Sequence, residues 1–404
     1  MTALGLLDRE ASGTRSSLDR VDWVLVGCVL TLTTVGALLI FSATRHDVAL
    51  VDGDPAAFLR RHVLNAAIGA GLACVVALLG WRTIRSTAAL WWVGSVVGLV
   101  AVLSPLGVTI NGSSSWIGLP AGFSLQPAEL AKVALVVLLA VVLGSPRPGT
   151  TNALIAPDAL ARGPDGRQVV VALGAIAIPI GLVLLQPDVG TITVIGAMGG
   201  AVLIVAGVRA RWLLGLAVAG AAVIVAAIRL GLVRDYQLAR FEVFANPGVD
   251  PLGIGYNTAQ ARIAIGSGGL TGTGLFAGPQ TRGSFVPEQH TDFVFTVAGE
   301  ELGFVGGALV IVVLGVLLWR VLRIGARSPD LEGRLVAAGV AGWFAFQTFQ
   351  NIGMTLGIVP VTGLPLPFVS YGGSSMFAGM LGIGLLQGVA MRTPRSFNGD
   401  RPAE

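Results

Sequence analysis

Residues 22–43 read DWVLVGCVLTLTTVGALLIFSA, and the only charge among them is the leading Asp22. A helix of that length crosses the roughly 30 Å hydrocarbon core of a bilayer, and a helix satisfies its own backbone hydrogen bonds, as lipid requires. Working outward, comparable apolar runs recur near residues 63–80, 88–107, 127–144, 169–186, 190–208, 212–229, 292–319, 335–357 and 375–391. The 404 residues are 54% hydrophobic and only 12% charged, with a mean hydropathy of +0.80, whereas a soluble domain carries about 25% charged residues. Lipid must therefore be the solvent for most of the chain. The 57 glycines agree, because small residues let membrane helices approach closely. The sequence predicts an all-α integral membrane protein, a bundle of about ten transmembrane helices.

The connecting segments set the orientation. With the N-terminus inside, 17 arginines fall on the inner side and 8 on the outer, so the positive-inside rule places both termini in the cytoplasm. The expected organisation is an N-terminal tail (1–21), a transmembrane domain (22–391) and a C-terminal tail (392–404). No signal-peptide core precedes Asp22, so the first apolar run stays as a helix. The net charge of +4 would suggest nucleic acid in a soluble protein, but here it is scattered through short loops, which excludes that partner. Cys28 and Cys74 lie inside apolar runs and support neither a disulfide framework nor a metal site.

Three outer segments stand out. A Gly-rich extracellular loop of about 230–291 separates the seventh and eighth helices and exceeds the usual loop length. Its apolar pairs, Phe241 with Phe244 and Ile263 with Ile265, predict packing against the bundle. Residues 108–126 hold Trp116. Residues 358–374 hold Pro360, Pro365 and Pro367, and Gly363 to Gly373 is a candidate re-entrant loop, which needs protein or a watery cavity around it.

Pro287-Glu288-Gln289-His290-Thr291-Asp292-Phe293 closes the long loop and opens a helix. Asp292 then falls in the first turn, where the helix dipole favours a carboxylate. It is either a helix-start charge or a general base at the mouth of an outward-facing cavity. Glu300 and Glu301 follow roughly 12 Å further down the same helix at 1.5 Å per residue. Charges in the membrane cost about 2.5–3.5 kcal/mol each, so these two belong to a buried network or act directly. Lys132, the single lysine, follows Glu129 by three residues. It either pairs with Glu129 or faces the interior, where it could meet Asp188 or an anionic ligand. Arg60 and Arg61 read as snorkelling anchors or as a diphosphate clamp. Gly268 to Gly274 (GGLTGTG) lacks the Lys-Ser/Thr of a nucleotide P-loop, and His46, His62 and His290 lack metal-ligand spacing.

Four stretches carry a family resemblance: Gly112 to Lys132 (GSSSWIGLPAGFSLQPAELAK), Gln186 to Thr191 (QPDVGT), Asp250 to Gly306, and Asn351 to Met376 (NIGMTLGIVPVTGLPLPFVSYGGSSM). In this order they resemble the SEDS family of cell-wall proteins (shape, elongation, division, sporulation), over about Asp22 to Met391. The resemblance implies a peptidoglycan glycosyltransferase that polymerises lipid II outside the cytoplasmic membrane, with inversion and release of undecaprenyl diphosphate. It implies a class B penicillin-binding transpeptidase and other cell-elongation membrane proteins as partners, and no nucleotide. Asp292 matches the family's essential Asp in its HTDF motif. Trp116, Gln126, Glu129 and Lys132 match WI…QPxExxK, and Glu288 and His290 flank the catalytic position. With Arg61 and Glu300, these are the candidate substrate-binding residues. The leaving diphosphate would be stabilised by Lys132, Arg61 or a divalent cation (Mg2+ or Mn2+), without a protein metal site evident. Many members carry Arg where this chain has Ser115, so another cation must substitute. DPLGIGYN, AIGSGGL and NIGM resemble the elongation branch, RodA, more than the division branch, FtsW. The competing readings are a lipid II flippase and a scaffold that only recruits the transpeptidase.

Overall fold

Asp22 opens the bundle as the N-cap of α1 (Trp23–Thr44), its carboxylate accepting from the Leu25 N–H at 3.1 Å. The same carboxylate accepts from Arg320 Nε at 2.6 Å, so the helix start is matched by a cation from elsewhere in the bundle. The computed structural model describes residues 20–47, 53–110, 113–118, 124–145, 163–229, 231, 239–240, 242–244 and 253–393. After α1 come α2 (Ala57–Leu78), α3 (Trp81–Val102), α4 (Pro127–Gly144), α5 (Gly166–Leu184), α6 (Val189–Val205), α7 (Ala210–Arg229), α8 (Ile254–Ser267), α9 (Pro279–Arg282), α10 (Val294–Glu301), α11 (Gly303–Arg327), α12 (Leu331–Leu356) and α13 (Gly373–Arg392). Most of tails 1–21 and 392–404 lies outside the described residues.

Every apolar run read from the sequence holds a helix. Seven of them, α1 to α5, α11 and α13, are long and apolar enough to cross a membrane, against the expected ten or so. The shortfall has local causes: α6 has only 17 residues, and α12, 26 residues long, carries the polar Gln347, Gln350 and Asn351. Helices α2 and α3 begin at Ala57 and Trp81, ahead of the runs at 63 and 88, and these added turns carry the exposed Arg60, Arg61, Arg82 and Arg85. Arg85, for example, reaches Glu332 at 3.4 Å. Helix α4 is the hub, packed against α3, α5, α6, α12 and α13 and buried over most of its length.

Three features depart from the sequence reading. Three strands form a small antiparallel sheet, β1 (Gly107–Ile110), β2 (Ser113–Gly118) and β3 (Ser124–Leu125), with Val108 opposite Trp116 and Ile117 opposite Leu125. The run 292–319 is not one helix. It breaks between α10 and α11 at Gly303, whose φ of +67° a residue with a Cβ rarely adopts. The long loop after α7 contains α8 and α9, and a second apolar cluster (Ala261, Ala264, Val286, Phe293, Met354) fastens it to the bundle. Of the expected anchors, Ile265 packs on the main core while Ile263 and Phe244 stay exposed, and Phe241 lies outside the described residues.

Candidate active site

Gln289 fixes the segment that carries Asp292. Its amide, buried, donates to Ala43 O and Thr281 O at 3.0 Å each, tying the loop to the end of α1. Next to it His290 is buried in an aromatic corner, its ring 5.0 Å from Phe58, while its carbonyl accepts the Tyr371 N–H at 3.0 Å. Glu288 is exposed, with φ +53°, and its carboxylate accepts from Thr291 Oγ1 at 3.1 Å. Asp292 follows, half-buried, two residues before α10 and outside the seven spans. It is therefore not in a helical first turn, and the dipole argument loses its basis. Asn351 Nδ2 holds its backbone carbonyl at 2.7 Å and donates equally to Leu364 O.

The Asp292 carboxylate faces bare backbone. A Cβ placed on Gly363 would lie 3.1 Å from Asp292 Oδ2, a tight approach, and its φ of +72° favours glycine there. Loss of solvent raises the Asp292 pKa to about 7; the Glu288 and Asp188 carboxylates add to the rise and Arg240 opposes it. Burial lowers the His290 pKa, against the pull of Glu288 and Asp47. A carboxyl poised near neutrality is suited to proton transfer.

The Gly-rich stretch after α8 has a structural use. Its backbone N–H groups at Thr273 and Gly274 donate to Glu300 O and Glu301 O, the carbonyls that the break after α10 would orphan. Phe304 N and Val305 N, at the start of α11, donate in return to Gly269 O and Leu270 O. A Cβ on Gly268 or Gly272 would collide with the backbone of Gly299 or Glu301, at 2.0 and 2.1 Å. The Glu300 carboxylate accepts from Gln280 N, Thr281 N and Thr281 Oγ1 at 2.6–2.8 Å. Glu301 accepts from Ser42 Oγ and Phe276 N. Both are fully buried and engaged by protein.

Lys132 is completely buried. Its ammonium meets Glu129 at 2.7 Å and Gln347 Oε1 at 3.1 Å, and lies 4.7 Å from the Trp343 ring centre. Asp188 is not its partner. That carboxylate accepts from Gln126 Nε2 at 3.1 Å and caps α6 through Thr191. Gln347 in turn donates to Pro365 O at 2.7 Å, and Gln350 to Pro360 O at 3.2 Å. These bonds hold residues 358–372 as a non-helical loop inside the bundle, deep enough that a Cβ on Gly36, midway along α1, would lie 2.4 Å from Val369 O. Trp116 is half-buried on β2, beside buried Ser115. Arg61 is exposed at the start of α2, and Arg60 beside it pairs with Asp54. The structure thus gathers Asp292, Glu288 and His290 around the 358–372 loop. It places Lys132 and Glu129 beneath that loop, Gln126 beside Asp188, and Glu300 against Gln280 and Thr281.

The family model of FtsW, RodA and SpoVE, described as cell cycle protein, matches residues 22–394. Stage V sporulation protein E of Bacillus subtilis is 37% identical over 91% of this chain and 96% of its own. A probable peptidoglycan glycosyltransferase FtsW of Trichlorobacter lovleyi is 35% identical over 92% and 94%, and peptidoglycan glycosyltransferase MrdB of Escherichia coli 34% over 91% and 93%. Among solved structures, a chain from work described as structural coordination of polymerization and crosslinking by a peptidoglycan synthase complex superposes with TM-score 0.73 at 31% identity, over 92% of this chain and 97% of that one. Thermus thermophilus rod shape determining protein RodA gives 0.63 at 29%, over 92% and 96%. The chain belongs to the SEDS family.

As a SEDS member it is a multi-pass membrane enzyme of the glycosyltransferase class. The sporulation, division and rod-type relatives are almost equally similar to it, so identity alone does not assign its branch. Among the described residues, no three His, Cys, Asp or Glu side chains converge as a protein-built metal set would require, and no step below runs through a metal. Sequence reasoning gave no role beside Asp292 to Gly363, Asn351, Gln347 or Arg240, although it named Gly363 in the candidate re-entrant loop and Asn351 in a family motif. The signal for two of them was present: Gln347, Gln350 and Asn351 crowd one apolar helix, where polar groups are expensive and need partners.

Proposed function

We propose that this SEDS chain polymerises lipid II into glycan strands at the outer face of the cytoplasmic membrane, with both termini inside, during cell elongation. The observation that carries the reading is the half-buried Asp292 carboxyl, its pKa near 7, set against the bare backbone of Gly363. As a general base it takes the proton of an acceptor sugar hydroxyl while that oxygen bonds to the anomeric carbon of the donor. The bond from that carbon to the diphosphate oxygen breaks, and its electron pair leaves with undecaprenyl diphosphate. Inversion follows from a single displacement. His290 and Glu288 shape the approach, and Asn351 keeps the Asp292 backbone in place.

Elongation is supported by the DPLGIGYN, AIGSGGL and NIGM segments. A class B penicillin-binding transpeptidase as partner is supported by the similarity to a chain of a peptidoglycan synthase complex. The arginine distribution supports the orientation. A lipid II flippase would find in Lys132, Glu300 and Glu301 the charges of a transport path, but each is engaged by protein groups, which favours the enzyme.

The test is glycan formation from lipid II by purified protein with its transpeptidase in detergent, where transport cannot make polymer. Asp292→Asn is expected to lower the rate by about 10²–10⁴-fold, and the wild-type rate to rise with pH through about 7. Normal polymer from a folded Asp292→Asn protein would refute the assignment.

A further inference from the structure

At the end of α6 remote from Asp188, the chain turns into α7 beside a cavity of about 320 Å³, lined by Pro164, Asp165, Val169, Arg209, Arg211 and Trp212 among others. Asp188 caps the first turn of α6 and Arg209 lies four residues past its last, so the 17-residue helix sets the cavity roughly 25 Å from Asp188 at 1.5 Å per residue. Two glycines fix its walls. A Cβ on Gly163 would lie 2.6 Å from Gly207 O, and φ is +59° at Gly163 and +74° at Gly207, values that cost glycine little. The segment entering α5 is thereby pressed onto the α6–α7 turn, which brings Asp165 and both arginines to one cavity. No carboxylate among the described residues forms an ion pair with Arg209 or Arg211. Asp165 stands at the N-cap of α5, its N–H donating to Gln168 Oε1 at 2.9 Å. The lining therefore carries two positive charges and one negative.

The cavity also lies at headgroup level. Gly166 begins one of the seven spans, and Trp212, half-buried against the core, is a residue type that favours the membrane interface. Past the cavity the same helices become apolar and exposed, at Val170 and Val171 on α5 and at Leu214 and Leu216 on α7. Such side chains are as apolar as lipid tails. The geometry points to this cavity as a binding site for an anionic phospholipid of the surrounding membrane, its phosphate held by Arg209 and Arg211 and its chains along the exposed valines and leucines. A planar guanidinium matches phosphate oxygens in two-pronged fashion, and basic pockets between membrane helices take headgroups of this kind. Charge selects the class. One phosphate balances the net positive charge of the lining, and headgroup hydroxyls offer Asp165 the donors that a carboxylate accepts. A choline headgroup brings its own positive charge and leaves the excess unbalanced. The inference stands apart from the glycosyltransferase reading and needs only a chain that lies in a membrane.

The test titrates full-length, delipidated protein in detergent with phosphatidylglycerol and reads bound lipid by native mass spectrometry. Phosphatidylcholine with the same chains and inorganic phosphate are the comparison ligands. Wild type is expected to bind phosphatidylglycerol in preference to both. Arg209→Gln and Arg211→Gln should each weaken it about 5-fold, and the double variant about 25-fold. Arg82→Gln, at an exposed arginine outside the cavity, should leave it unchanged. Asp165→Asn removes the one negative charge but keeps a good N-cap residue, so it should tighten phosphatidylglycerol. Arg209 and Arg211 are exposed, so their variants should melt like wild type before lipid is added. Equal weakening by Arg82→Gln would mean diffuse surface charge and overturn the site, as would phosphatidylcholine binding as tightly as phosphatidylglycerol. Inorganic phosphate bound as tightly as phosphatidylglycerol, and lost in the double variant, would make the ligand a soluble anion and overturn the lipid assignment.

Discussion

Two irregular stretches flank the segments that frame Asp292, and different side chains clamp them. Carboxylates clamp the stretch 268–281 by its N–H groups, Glu300 taking Gln280 and Thr281 and Glu301 taking Phe276, while its carbonyls at Gly269, Leu270 and Thr281 accept from Phe304 N, Val305 N and the Gln289 amide. The stretch 358–370 presents carbonyls, and donors hold it: Gln350 at Pro360, Asn351 at Leu364, Gln347 at Pro365. An ionised carboxylate only accepts, whereas an amide NH₂ donates twice, so each clamp matches what its loop exposes. Their depths differ as well. Glu301 meets Ser42 near the C-terminal end of α1, while Val369 reaches Gly36, six residues or roughly 9 Å further along the helix at 1.5 Å per residue. The carboxylate clamp sits near the end of α1, and the amide clamp serves the loop that reaches further in, where the one ion it touches, Lys132, is matched by Glu129.

The largest effect comes from putting the wrong chemistry into the deeper clamp. Asn351→Asp sets a carboxylate against two carbonyl oxygens, those of Asp292 and Leu364, which have lost their donor. An uncompensated buried charge costs about 3–5 kcal/mol. The expected outcome is poor recovery of folded protein and a lowered melting transition in detergent. Asn351→Ala, which leaves the carbonyls unpaired without adding charge, should cost less, about 1–3 kcal/mol. Equal loss in the two variants would break the matching argument.

How far this was legible beforehand follows from what each signal depends on. Hydropathy located the helices because lipid acts on every residue of a run, and it placed Lys132, Glu129, Glu300 and Glu301 in the interior because a charge in an apolar run must have partners. It could not choose those partners, which come from distant segments: Gln347 lies 215 residues from Lys132. The break at Gly303 escaped because one glycine in a long apolar run does not by itself end a helix, and the Gly-rich stretch that accommodates the break lies about thirty residues earlier. The sheet escaped because its strands are short and Gly- and Ser-rich. Asp292 was legible through the motif of a family, but its setting against Gly363 was not, since a glycine in a proline-rich loop does not announce which side chain it faces.

A smaller effect tests the shallow clamp. Glu300→Gln keeps the size of the side chain but turns one acceptor into a donor, facing the N–H and O–H groups of Gln280 and Thr281. The expected cost is about 1–3 kcal/mol, with the 268–281 stretch loosening first. Hydrogen exchange should rise at 273–282 and stay unchanged at 358–370. Simultaneous loosening of both stretches would show that the two clamps form one cooperative unit.

The smallest effect belongs to Asp292 itself, the point where the clamps meet. Its backbone carbonyl belongs to the neutral clamp, and the short helix it precedes ends in the charged one, so its carboxyl can titrate without disturbing either. With a folded pKa raised to about 7, above the ordinary carboxylate value near 4, the folded protein holds a proton that the unfolded chain gives up. The resulting stabilisation is fully present below about pH 4 and is lost as pH rises through about 7. Asp292→Asn has no such proton to lose. It should melt at least about 1–2 °C above wild type at pH 8, with the difference shrinking toward pH 5. A difference that instead grew toward pH 5 would mean that the carboxylate is ionised and stabilising in the fold, and the poised base would have to be sought elsewhere.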